Sequence, residues 1–157
     1  RSIIVPRSHV LAKLENIKLE DVAKYPIVTY VFGFTGRSRL DRAFERKKLS
    51  PNVVFTATDS DVIKTYVKLG LGVGIIARMA CKDLDEELVA IDASHLIEPS
   101  VTYIGFRKGT YLKSYMYEFI RSFAPHLTRS VIEEYMCIPN SEARKIYFDT
   151  TKLPFSC

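Results

Sequence analysis

The chain has 157 residues, of which 47% are hydrophobic and 26% are charged, so it can bury the core of one ordinary domain. This composition excludes a disordered chain, and no apolar run approaches the roughly 20 residues needed to span a bilayer. The net charge of +5 is modest for this length and favours a nucleic-acid-binding role only weakly.

The three cysteines, Cys81, Cys137 and Cys157, form no C-x-x-C pair, and their odd number argues against a disulfide framework. Reduced thiols are typical of cytoplasmic proteins, so we expect a cytoplasmic location. The chain also lacks an initiator methionine, and Arg1 leads directly into an apolar, strand-like run. We therefore expect a fragment that begins inside a domain.

The first hundred residues alternate between short apolar runs and stretches with helical periodicity. The runs predict strands at Ile3–Val5, Ile27–Val31, Val53–Thr56, Val73–Ala77 and Leu88–Ile91. The periodic stretches predict helices over Leu19–Tyr25, over Arg37–Lys48, and from an Asp59 or Ser60 cap to Leu69. Six basic residues of Arg37–Lys48 are interrupted by acidic ones, which favours a solvated helix face over a nucleic-acid footprint.

The last third of the chain predicts one strand and two helices. The strand is Val101–Phe106, and the helices are Tyr111–Phe123 and Thr128–Met136. An apolar stripe with several aromatic residues runs along the first helix, and we expect it to be core. Its members are Leu112, Tyr115, Met116, Phe119, Ile120 and Phe123.

Strands separated by helices of about ten residues indicate an α/β fold with βα units around a mainly parallel sheet. Open sheets of this kind bind ligands outside the carboxyl ends of their strands. Two turns lie at such ends, Gly33–Arg37 and Thr56–Ser60. We therefore place the candidate ligand site at these two turns.

The turn around Thr35 has the chemistry of a small-anion site. Its two glycines allow close approach of the backbone, and Thr35 offers a hydroxyl at the start of a helix. Unpaired amides and the helix dipole suit sulfate or a carboxylate there, and Arg37 could add charge. The alternative is that Thr35 only caps the helix and the glycines only form the turn.

The second turn is rich in hydroxyls, with Thr56 and Thr58 as candidates to line the same cleft. Asp59 and Asp61 would repel a dianion, and helix capping is a sufficient explanation for Asp59. The three histidines are isolated, and no G-x-S-x-G, H-E-x-x-H or P-loop motif is present. We therefore predict no catalytic residue, no cofactor and no metal site.

Three blocks of sequence resemble the LysR-type transcriptional regulators, in the branch that activates genes for sulfur assimilation and cysteine biosynthesis. They begin at Phe32 with F-G-F-T-G-R-S-R-L-D, at Val54 with V-F-T-A-T-D-S-D-V-I-K-T-Y-V-K-L-G-L-G-V-G, and at Ser114 with S-Y-M-Y-E-F-I-R-S-F-A-P-H-L-T-R. At Arg39 the sequence instead resembles the related branch that controls sulfonate use. That branch stays an alternative, as does a periplasmic anion-binding protein of the same architecture.

The resemblance implies a type 2 periplasmic-binding-protein-like effector domain in which two α/β subdomains flank a cleft. Residues 1–100 would form the second subdomain, residues 101–138 would return to the first subdomain, and residues 139–157 would be a tail. It implies N-acetylserine, sulfate or thiosulfate as effector, with Thr35, Gly36 and Phe34 as contacts. Arg37, Thr56 and Thr58 stay further candidates from the chemistry of the two turns. The resemblance also implies a tetramer that binds DNA through a helix-turn-helix outside this chain.

Overall fold

The computed structural model describes residues 1–34, 36–99, 104–107, 109–140, 142–143 and 147. The chain divides into two units after residue 102. Within the described residues, every helix is too short or too polar to cross a bilayer.

The described part of the first unit contains five strands and three α-helices. The strands are β1 (Ser2–Pro6), β2 (Ile27–Tyr30), β3 (Val53–Ala57), β4 (Val73–Ile76) and β5 (Leu88–Asp92). The helices are α1 (Leu19–Val22), α2 (Arg37–Arg46) and α3 (Ser60–Lys68), with short 3-10 helices at Val10–Lys13 and Arg78–Cys81. The α/β class and the elements predicted in this unit are confirmed, although α1 and α2 end earlier than their sequence patterns suggest.

One sheet joins the strands in the order β3-β2-β4-β1-β5. The strand β2 pairs in parallel with β3 and β4, as the βα pattern predicts. The first strand is the exception, because β1 is antiparallel to both of its neighbours, β4 and β5. Ser2 lies opposite Ile76, so the beginning of β1 lies beside the carboxyl end of β4.

Both faces of the sheet are covered by apolar side chains. Ile3 and Val5 of β1 belong to the core on one face, together with Leu40 and Phe44 of α2. Ile4 belongs to the core on the other face. Because successive strand residues point to opposite faces, the uninterrupted apolar run of β1 fits a central strand covered on both sides.

The helix α3 covers the second face. Its Ile63 and Val67 are fully buried against the sheet. Asp59 caps its first turn by accepting a hydrogen bond from the amide of Asp61 at 2.6 Å, which confirms the predicted cap. Gly70 follows the helix with a φ of +79°, a left-handed conformation that favours glycine at a helix end.

The second unit contains α4 (Ser114–Phe123) and α5 (Arg129–Cys137). Thr128 caps α5 by accepting a hydrogen bond from the amide of Val131, 3.4 Å away. A small core forms from Leu112, Ile120 and Ile132. Of the predicted strand Val101–Phe106, residues 101–103 lie outside the described residues, and Ile104–Phe106 form no strand.

The expectation that the aromatic stripe of α4 is core is wrong for the described residues. The side chains of Tyr115 and Phe119 are each 68% exposed, and that of Phe123 is 54% exposed. These three residues follow one another at intervals of four, about 100° around the helix from Met116 and Ile120. The side chains packed around Ile120 therefore cover only one side of the apolar stripe.

Gly74 provides a test of this packing. A Cβ atom at this position would overlap Ile4 and lie 2.8 Å from Cγ2 of Val67. We expect Gly74→Ala to lower the free energy of unfolding by about 1–3 kcal/mol, because the core must open to admit the methyl group. Urea unfolding followed by circular dichroism measures this loss.

Gly105→Ala is the matched control for Gly74→Ala, since no atom lies within 4 Å of a Cβ built at Gly105. Equal free energies of unfolding for the two variants would contradict the close approach of β1, β4 and α3.

Candidate functional site

The carboxyl ends of β2, β3 and β4 lie at one edge of the sheet, hereafter the carboxyl edge. Tyr30, the last residue of β2, is in register with Ala57, the last residue of β3. The amide of Val31 then donates a hydrogen bond to the carbonyl of Ala57 at 3.1 Å. The turn that follows β2 and the turn that follows β3 therefore begin side by side, as the parallel pairing predicts.

The turn between β2 and α2 is held by its own backbone. The amide of Phe34 donates to the carbonyl of Val31 at 3.3 Å, and the amide of Arg37 donates to the carbonyl of Phe34 at 3.1 Å. Gly36 is buried, has a φ of +100° and is the N-cap residue of α2. Thr35, the main candidate from the sequence, lies outside the described residues.

Tyr30 joins three parts of the carboxyl edge, although the sequence alone did not single it out. Its hydroxyl oxygen accepts a hydrogen bond from the amide of Ala77, the residue after β4, at 3.3 Å. Its ring stacks on that of Phe34, with centroids 6.4 Å apart and planes 12° apart. Because Phe34 keeps 46% of its surface exposed, one part of the ring stays available to a ligand.

Arg37 is engaged inside the protein. Its Nε donates to both carboxylate oxygens of Asp41, at 2.9 and 3.1 Å, and its Nη1 donates to the carbonyl of Tyr30 at 3.2 Å. Only 15% of its side chain is exposed. The charge of Arg37 is therefore balanced by Asp41, and the side chain ties the start of α2 to the end of β2.

Arg1 also lies at the carboxyl edge, which the expectation of a mainly parallel sheet did not suggest. Because β1 is antiparallel to β4, its first residues lie at the carboxyl end of β4. The Arg1 guanidinium contacts Gly36, and a Cβ at residue 36 would overlap that guanidinium and lie 2.6 Å from its Nε. Glycine at position 36 thus permits the left-handed backbone conformation and also leaves space for the Arg1 side chain.

Electrostatics around Arg1 reflect its half-buried position. Burial lowers the pKa of its guanidinium, Tyr30 acts in the opposite direction, and the nearby positive charge of Arg39 lowers that pKa further. An arginine still keeps its proton at any physiological pH. Arg39 itself donates a hydrogen bond to the carbonyl of Pro99.

A cavity of about 10 Å³ is lined by Arg1 and Gly36 together with Thr29, Leu40 and Ile75. This volume is about that needed for one water molecule. It is too small for a sulfate or carboxylate group.

The two other threonine candidates lie at the end of β3 and at the start of the turn after it. Thr58 comes directly after β3 at the carboxyl edge, and its side chain is exposed. Thr56 is also exposed and is in register with Thr29 of β2. Thr29 is buried and donates its hydroxyl to the carbonyl of Ile75 at 2.9 Å. Thr56 is exposed, unlike Thr29, because β3 is the outermost strand of the sheet.

Apart from the amide of Arg37, which donates to the carbonyl of Phe34, the first-turn amides of α2 are suited to an oxyanion. Such amides have no acceptor within their own helix, and Gly36 has no side chain with which to cap them. The positive end of the helix dipole and the positive charge of the Arg1 guanidinium both favour a negative group at the start of α2. Across the described residues, no three His, Cys, Asp or Glu side chains are grouped closely enough to hold a metal ion.

Comparison with known proteins gives consistent matches over this region. Residues 1–128 match the family described as the LysR substrate binding domain. The chain is 54% identical over 153 residues to the HTH-type transcriptional regulator CysB of Haemophilus influenzae, covering 98% of this chain and 47% of that protein. It is 50% identical over 132 residues to the HTH-type transcriptional regulator SsuR of Burkholderia cenocepacia, covering 83% of this chain and 43% of that protein.

Among solved structures, the cofactor-binding domain of the Cbl transcriptional regulator is similar to this chain, with a TM-score of 0.77 and 37% identity. The similarity covers 88% of this chain and 61% of that structure. The chain thus spans about half the length of the curated relatives that it matches.

The contact between Gly36 and Arg1 yields a stability prediction. We expect Gly36→Ala to destabilise the protein by about 1–2 kcal/mol for the left-handed backbone and by a further ~1–3 kcal/mol for displacing Arg1. Gly33→Ala is the matched control, since Gly33 has a φ of +87° but no atom within 4 Å of a Cβ at that position. Equal losses in urea unfolding for the two variants would show that Arg1 does not occupy this position in solution.

Proposed function

The chain belongs to the family of LysR substrate-binding domains, and on that premise we propose that it senses an anionic effector for a transcriptional activator of sulfur assimilation and cysteine biosynthesis. As the effector-binding domain of a LysR-type regulator, it is not an enzyme. The proposed effectors are N-acetylserine and anions such as sulfate or thiosulfate. The observation that carries the proposal is the turn at Gly36, where a helix start without a side-chain cap lies beside a half-buried guanidinium.

The proposed contacts combine three kinds of group. Thr35 would supply a hydroxyl donor, Gly36 would let the anion approach the backbone, and the exposed side of Phe34 would contact the apolar part of an organic effector. Arg37 would contribute by fixing the turn, since its side chain is bound to Asp41. Thr58 is the more favourable of the two remaining threonines, because it lies at the carboxyl edge itself.

We further propose that residues 1–100 form one complete subdomain and that residues 101–138 belong to the other subdomain of the same effector domain, with residues 139–157 as a tail. The division of the chain after residue 102 agrees with this arrangement. The exposed aromatic residues of α4 are also consistent with it, because an apolar helix face of this kind usually packs on another element.

In the proposed mechanism, effector binding shifts an equilibrium between two arrangements of the effector domain. A ligand can shift such an equilibrium only through different affinities for the two states. The shift would then change the spacing of DNA-binding domains in a homo-oligomer, expected to be a tetramer in the cytoplasm. DNA would be contacted by a helix-turn-helix domain outside this chain.

Control of sulfonate use is the second candidate, and Arg39 is the residue that favours it. The two candidate functions use the same site, and they differ in the genes that are controlled and in the effector that is bound. Operator binding by the full-length protein, titrated with N-acetylserine and separately with sulfate, discriminates between them through the effector that changes the operator affinity.

The role of Thr35 can be tested by removing its hydroxyl. In the full-length protein, we expect Thr35→Val to weaken binding of both sulfate and N-acetylserine by about 1–3 kcal/mol, because one donor to the anion is lost. Isothermal titration calorimetry measures both affinities. The control is Thr65→Val, since the Thr65 hydroxyl donates only within α3, to the carbonyl of Asp61. Unchanged affinities in Thr35→Val would contradict the proposed site.

The assignment of α4 to a larger subdomain predicts how the 157-residue chain behaves alone. We expect it to self-associate and to bind a hydrophobic fluorescent dye through Tyr115, Phe119 and Phe123. Phe119→Ser should reduce both effects, whereas Glu118→Ser on the same helix should not. Light scattering after gel filtration measures the mass, and a monomer without dye binding would contradict the assignment.

A further inference from the structure

The chain leaves the first unit through residues 93–99, hereafter the exit segment, which follow β5 and come shortly before the division after residue 102. A turn opens this segment, in which the amide of Ile97 donates to the carbonyl of Ala93 at 3.0 Å. Nε2 of His95 is hydrogen-bonded to the carbonyl of Ile17 at 2.9 Å. The exit segment is therefore folded against the first unit.

The exit segment packs on α2 through its apolar side chains. Ala93 and Ile97 are at most 1% exposed, and they belong to the same core as Leu40 and Phe44 of α2. Ile97 also lines the small cavity beside Gly36 and Leu40, so its side chain lies next to the start of α2. Close packing of this kind holds the helix and the segment in one arrangement, because a shift of either would open a void.

Polar contacts join the exit segment to both ends of α2. Near the start of the helix, the Arg39 guanidinium donates a hydrogen bond to the carbonyl of Pro99. At the last residue of the helix, Nη1 of Arg46 donates to Oε1 of Glu98. The Arg46 guanidinium holds the pKa of the Glu98 carboxyl below its usual value, and the positive charges of Arg39 and Arg42 lower that pKa further. Three arginines along α2 thus attract one carboxylate of the exit segment.

This network differs from an ordinary surface ion pair. The side chains of Arg46 and Glu98 are 63% and 52% exposed, and a single pair of this exposure contributes little to stability. Here the backbone of the segment is already fixed by the neighbouring residue Ile97, which is buried. The contacts of Glu98 and Pro99 therefore form with little further loss of conformational entropy.

We propose that α2 transmits the state of the effector turn at its start to the exit segment, through the contacts of Arg39 with Pro99 and of Arg46 with Glu98. This inference rests on the proposed function, because it requires an effector at that turn. A movement of the turn displaces the helix as a rigid element, and the helix carries the exit segment with it. The two arrangements of the effector domain then differ in the path by which the chain leaves the first unit.

The test measures effector binding and the effector-induced change in operator binding separately, both in the full-length protein. Isothermal titration calorimetry with N-acetyl-L-serine gives the first quantity. Fluorescence anisotropy of labelled operator DNA, with and without saturating N-acetyl-L-serine, gives the second. We expect Glu98→Gln to reduce the change in operator affinity by about threefold or more, and to alter the affinity for N-acetyl-L-serine without DNA by less than about twofold.

Arg46→Gln should act in the same way. The double variant should show no larger effect than either single variant, because each substitution removes the same contact. Glu20→Gln is the matched control, since Oε1 of Glu20 lies 3.6 Å from Nζ of Lys47 and this pair joins the end of α2 to α1 instead of the exit segment. It should leave both quantities unchanged.

An unreduced change in operator affinity in Glu98→Gln would overturn the proposal, as would an equal reduction in Glu20→Gln or additive effects in the double variant. A reduction accompanied by an equal loss of N-acetyl-L-serine affinity would overturn it too, because Glu98 would then act on the site itself. If the unsubstituted protein shows no effector-induced change at all, the proposed function fails. A response that Glu98→Gln leaves intact refutes only the role of α2.

Discussion

The antiparallel insertion of β1 between β4 and β5 is the constraint on which the first unit depends. Ile3, Ile4 and Val5 are fully buried, and they supply both faces of the sheet with core contacts. The same strand brings Arg1 to the carboxyl edge, beside the start of α2. One strand therefore contributes to the core on both faces of the sheet and places a charged side chain beside the start of α2.

At the carboxyl edge, the side chains that hold the turn in place are different from the groups proposed to contact the effector. Tyr30, Arg37 and Asp41 link β2, α2 and the residue after β4 through hydrogen bonds that are satisfied within the protein. These contacts hold the turn without needing a ligand. In the proposed function, an anion would meet the first-turn amides of α2 in a turn that is already held in place, and a preorganised site of this kind loses little entropy on binding.

The sequence predicts the elements of the first unit well, because burial on one side gives helices and strands different periods. It also predicted the Asp59 cap and the turn after β2. It could not predict the direction of β1, since an apolar run has the same pattern in either direction. The ion pair of Arg37 with Asp41 could have been predicted, because the two residues are four positions apart on one helix. The exposure of Phe119 could not have been predicted, since periodicity reveals that a helix has an apolar face but not which element packs on it.

The most direct test of the central claim is a crystal structure of the full-length protein with sulfate or N-acetylserine bound. We predict the anionic group within hydrogen-bonding distance of the backbone at Gly36 and of the Thr35 hydroxyl. An anion bound elsewhere, with this turn occupied only by water, would contradict the claim.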